Sequence, residues 1–228
     1  MANRMTPIFA AVLICWIFSV CVHEFAHALV AYLGGDKSVK ERGYLHFNIF
    51  RFVDPVTSLL IPAIFLMLGG IPLPGGSVYI NRMALRNHHW SALVSAAGPA
   101  SNFILFLILA AIVHPRTGIV DPRVFQQPTW VMLLCAMTVL ELFSVFFNLI
   151  PVPPLDGFGI IEPYLSPDAR ARAHALGWTG LVILFVAMSY DPIMGFFMDM
   201  LDTTLGYFGI PFENSWRYYN FALFGSSQ

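Results

Sequence analysis

Charged side chains are scarce in this chain. Only 11% of its 228 residues are Asp, Glu, Lys or Arg, while 57% are hydrophobic; soluble domains carry roughly a quarter charged residues. A water-soluble domain has nowhere to hide that much apolar surface. Neither sign of charge dominates. Twelve basic and 13 acidic residues give a formal net charge of −1, which supplies no basic field for nucleic acid and no acidic tail for a basic partner. No nucleic-acid partner is expected. Cysteine is equally sparse: Cys15, Cys21 and Cys135 lie inside apolar runs without CxxC spacing, which excludes a disulfide framework and a thiolate metal site and leaves packing. Internal repeats and low-complexity segments are missing too, so residues 1–228 are read as a single domain.

Apolar sequence is what the chain has in abundance, and it falls in long blocks best counted as membrane spans. Residues 8–33 are broken only by His23, Glu24 and His27 and close on Gly34-Gly35-Asp36, a pattern for a first spanning helix ended by glycine. The run passes straight into HEFAH, unlike a cleaved signal peptide, and is read as retained. Residues 92–113 form a second span whose Ala96, Ala97, Gly98, Ala100 and Ser101 permit close helix approach. A third, 130–150, runs into PVPPLDGFG, where prolines end the helix and impose an extended segment. Between the first two spans, 56–70 contains Pro62 and is short for a crossing, so it is read as re-entrant, with a true span as the alternative. The aromatic and β-prone stretch 43–52 and residues 76–80 are read as short strands. After the third span, 176–190 is a further apolar run, and 193–210 is either a poor span or an interfacial helix. The expected fold is an all-α polytopic membrane protein: a transmembrane helix bundle with short β-strands and a re-entrant segment, its core at 8–160 and C-terminal helices within 174–210.

The chemistry begins at His23-Glu24-Phe25-Ala26-His27. Histidines at i and i+4 project from one helical face within reach of one metal, and a glutamate about 100° round the helix can stand beside the metal's water as general base. Five-residue patterns recur by chance, and polar residues can simply be satisfied inside a bundle. The membrane setting shifts the balance, because each ionisable group in mid-bilayer costs about 2–3 kcal/mol and three cluster here in one span.

A catalytic zinc usually takes three protein ligands and leaves one position open. The candidate for the third is Asp156, just past a spanning helix on a proline-stiffened stretch, with Gly157 allowing a tight turn. Taken alone, Asp156 reads better as an ordinary helix-end aspartate in a polar loop.

Three segments together carry a resemblance. HEFAH in the first span, AAGPASN (Ala96 to Asn102) opening the second, and NLIPVPPLDG after the third resemble the signatures of the site-2 protease family of intramembrane zinc metalloproteases. The segments VDPVTSLLIP, LGG and PLPGG are similar to its compact prokaryotic branch, and no PDZ or CBS insertion is recognisable. The resemblance covers roughly residues 8–160. It implies that His23, His27 and Asp156 hold one Zn2+ per chain, that Glu24 activates water, and that Asn148 helps position the substrate carbonyl or stabilise its oxyanion. It further implies a transmembrane protein or peptide as substrate. A helix hides its carbonyls in hydrogen bonds, so such a substrate is expected to unwind locally before attack, and the 43–52 or 76–80 strand would offer it a pairing edge.

His88, His89, His114 and His174 are read as loop or span-end residues facing water. Glu141, seven residues before Asn148, could support the site through a hydrogen bond, or pair with a neighbouring helix. Lys37, Lys40, Arg42 and Arg51 follow the first span and Arg170 and Arg172 the third, so both exits are expected on the cytoplasmic side of a prokaryotic cell membrane, with the active site toward that side. Rival readings are a catalytically silent scaffold or a zinc or ion transporter. Oligomeric state is not legible.

Overall fold

In a computed structural model the described residues are 7–46, 78–120 and 128–210. Helix α1 (Pro7–Gly34) is followed by the short α2 (Ser38–Glu41), and after the 3-10 turn Arg82–Ala84 comes α3 (His88–Val113). Next are α4 (Thr129–Asn148), α5 (Asp156–Ile161), α6 (Pro167–Met188) and α7 (Asp191–Tyr207). Helices α1, α3 and α4 are long and apolar enough to cross a membrane. At 1.5 Å per residue the 20 residues of α4 span about 30 Å, the thickness of a bilayer's hydrocarbon core.

The second span starts earlier than its apolar run because Asn87 caps it, its side chain accepting from the Trp90 N–H; this satisfies a donor that the first helical turn leaves open. The third span follows Pro128 and ends at Asn148. Helix α4 is the central one: 78% of its most apolar window is buried, against 39% for α3. Val12, Trp16 and Val20 of α1 pack with Ala136, Met137 and Leu140 of α4. On its other side α4 joins Phe106 of α3 and Phe197, Leu201 and Leu205 of α7 in the largest apolar cluster. Outward-facing Ile14, Phe18, Ile104, Ile108 and Val186 are exposed, which suits contact with lipid chains and would be costly in water.

The ends of α1 and α3 meet. The Arg86 N–H donates to the Gly34 carbonyl, and Asp36 is fully buried, accepting from Ser38 and from the Asn81 N–H. The connection from α1 to α3 therefore starts and finishes at one end of the bundle. Helices α1 and α4 run parallel, with α3 antiparallel between them. The re-entrant reading of 56–70 falls outside the described residues.

The strand expectation is not supported. Among the described residues there is no strand. Residues 43–46 form turns that close α2, with Tyr44 N–H donating to Val39 and His46 N–H to Gly43. The 78–80 stretch carries no ladder because donors there go to side chains: Val78 N–H to Glu24 and, just beyond, Asn81 N–H to Asp36. Residues 47–52 and 76–77 lie outside the described residues. Downstream, α6 begins at a Ser166 cap ahead of the apolar run and bends by 72° at Gly177, which adopts a left-handed φ of 46°. Counted as one element, that bent pair makes a fourth candidate span. Helix α7 does not reach span length and instead buries one face, with Phe197 edge-on to Phe143 at 5.1 Å.

Candidate metal centre

His23 and His27 stand one turn apart on α1 and are both buried. Their Nε2 atoms are 3.0 Å apart. The Asp156 Oδ2, brought in at the first turn of α5, lies 3.1 Å from His23 Nε2 and 3.4 Å from His27 Nε2. The sequence candidates for metal ligands thus converge, and among the described residues they are the group of His, Cys, Asp or Glu side chains placed to share an ion.

Two backbone features allow that convergence. A Cβ built on Gly98 of α3 would overlap the imidazoles of both His23 and His27; only a residue without a side chain lets α3 pass this close. A Cβ on Gly157 would overlap the carbonyl oxygens of Leu149 and Ile150, so this glycine tucks the start of α5 beneath the end of α4. The glycine was expected to favour a tight turn; its role is this close approach.

The hydrogen bonds decide which nitrogens face the centre. His27 Nδ1 is 2.6 Å from the Val94 carbonyl, which can only accept, so that nitrogen carries a proton. His23 Nδ1 is 2.5 Å from the Asn102 Oδ1. Both Nε2 lone pairs then point at each other and at a carboxylate, and three electron-rich atoms this close repel unless a cation lies among them. Two imidazole nitrogens and one carboxylate oxygen form a catalytic zinc donor set, and bonds of about 2.0–2.1 Å in a tetrahedron put ligand atoms about 3.3 Å apart. The observed separations of 3.0, 3.1 and 3.4 Å fit that ion. A cation among these atoms would also favour the ionised Asp156 carboxylate.

Glu24, buried beside His23, accepts a hydrogen bond from the Val78 N–H at 3.2 Å. Asn148 is buried at the end of α4, and its Nδ2 has no hydrogen-bond partner among the described residues. Next to Asp156 opens a cavity of about 290 Å³ lined by Arg82, Ser95, Pro153, Glu162 and His174. Within it Glu162 bridges His174 at 2.8 Å and Arg82 at 3.5 Å.

The remaining histidines stay outside the centre: His89 bonds the Tyr164 hydroxyl, and His114 caps a turn at Arg116. Glu141 does not reach Asn148; it accepts from the Asn102 Nδ2 at 2.7 Å. Asn102 had no role in the sequence reading beyond its place in AAGPASN. An amide in the middle of an apolar span is costly without a partner, and that was the available signal.

The family model for peptidase family M50 matches residues 11–128. Over 203 residues the chain is 34% identical to a Mycolicibacterium smegmatis protein provisionally named zinc metalloprotease Rip2, covering 85% of this chain and 72% of the relative. It is 33% identical over 186 residues to YwhC of Bacillus subtilis, also provisionally named a zinc metalloprotease, covering 75% of this chain and 77% of that protein. No solved structure matches.

Proposed function

Because the chain belongs to peptidase family M50, the site-2 proteases, we propose that it is a zinc endopeptidase that cuts peptide bonds in or near transmembrane segments of membrane proteins. The observation that carries this reading is the meeting of His23, His27 and Asp156 at one buried point beside Glu24. These three residues hold one zinc ion. When bound, zinc supplies Lewis acidity that lowers the pKa of water and polarises a carbonyl.

The protein's own groups do the rest. Glu24 takes a proton from the attacking water and returns it to the leaving amine. The unpartnered Asn148 amide is a donor for the oxyanion that develops as the carbonyl is attacked. Asn102 and the Val94 carbonyl hold the two imidazoles in the ligand tautomer. A helix hides its carbonyls in hydrogen bonds, so a transmembrane substrate unwinds locally before attack.

Residues 1–228 work as one integral-membrane protease domain. Basic residues after α1 and α4 support a site toward the cytoplasmic side of a prokaryotic cell membrane. The test is Glu24→Gln, which keeps size and polarity but removes the base. Hydrolysis should fall about 10²–10⁴-fold with zinc retained, and membrane proteomics should show uncut single-span proteins accumulating. Unchanged cleavage in this variant would refute the mechanism.

A further inference from the structure

Glu141 is a carboxylic acid in the central membrane helix with only 1% of its surface exposed. A group of this kind is costly in a spanning segment, so its partners matter. Its Oε2 accepts from the Asn102 Nδ2 at 2.7 Å, and the same nitrogen reaches the Ser19 hydroxyl at 3.1 Å. Asn102 spends its other end on His23, with Oδ1 2.5 Å from Nδ1. One line of contacts therefore joins α4, α3 and α1 and ends on a metal ligand.

We propose that Glu141 is a positioning residue for the metal centre, acting through Asn102 to set the tautomer of His23. An asparagine amide can face either way, its oxygen accepting or its nitrogen donating. Because the Glu141 Oε2 accepts from the Asn102 NH2, Glu141 holds that NH2 toward α4 and the carbonyl toward His23. With that carbonyl in place the imidazole proton resides on Nδ1, and Nε2 keeps its lone pair for the ion. If the amide were reversed, its NH2 would face Nδ1, the proton would move to Nε2, and the ligand would be lost. The carboxylate thus reads out through two hydrogen bonds as metal affinity. Simple helix pairing would need no such direction along the chain of donors.

The inference rests on the zinc reading above, and the experiment separates the two. Zinc affinity is measured on the full chain in detergent by chelator competition, together with the visible spectrum of the cobalt-substituted protein. Glu141→Leu, which fills the space without an acceptor, should weaken zinc binding by about 10- to 100-fold, the usual range for losing a ligand's supporting partner, and alter the cobalt bands. Combining Asn102→Asp with Glu141→Gln reverses the donor and acceptor yet keeps the line intact, because the new amide donates to the new carboxylate, which accepts from His23 Nδ1–H. That exchange should return affinity to within about tenfold of the parent. Parent-like affinity in Glu141→Leu, or an exchange no tighter than that variant, overturns the proposal. If Glu141→Leu does not fold, the exchange decides alone: within tenfold supports the proposal, and anything weaker overturns it. A parent chain that takes up no zinc overturns the zinc reading and this inference with it.

Discussion

At Gly98 a single methyl group is enough to disturb the centre. The added carbon would overlap both imidazoles, and such overpacking typically costs about 1–3 kcal/mol. Gly98→Ala should therefore lower zinc occupancy and cleavage together, as read by metal analysis of the purified chain. Gly195→Ala in α7 meets nothing within 4 Å and should leave both unchanged. The proposed third ligand is tested in the same way: Asp156→Ala should lose zinc and activity, whereas His88→Ala combined with His89→Ala should keep both. Full zinc occupancy in the Asp156 variant would break the assignment. His23, Glu24 and His27 were legible because their spacing is set by one helix. Gly98 was legible as one of several small residues allowing close helix approach, but which helix it meets was not, and the contacts of Asn102 and Val94 with α1 left no local pattern.

The elements were legible in proportion to their apolar length. Three long runs became α1, α3 and α4, because a membrane demands that backbone donors be satisfied within each segment. Short segments lacked that constraint. Aromatic, β-prone residues at 43–46 suggested a strand, yet local turns closing α2 took their donors, and at 78–81 the carboxylates of Glu24 and Asp36 did the same. Topology follows from the bond between Arg86 and Gly34. Single cysteines introduced at 37–42 and at 82–89 should react with a membrane-impermeant reagent from the same side. Labelling from opposite sides would contradict the parallel arrangement of α1 and α4.

For the molecule as a whole, the largest apolar cluster and the candidate metal site are separate parts. The largest apolar cluster, with Phe106, Leu142, Phe147 and Leu201, contains none of the ligands. Removing zinc with a chelator should abolish cleavage and leave the helical circular dichroism nearly intact, with activity regained on adding zinc back. Collapse of the helical signal would mean that the ion holds the bundle together. The candidate ligands are also widely separated along the chain: α1 carries two, and Asp156 arrives only after α3 and α4 have been laid down. During biosynthesis, a nascent chain halted short of that aspartate carries only two members of the candidate ligand set, which is complete only after the third long helix has been made.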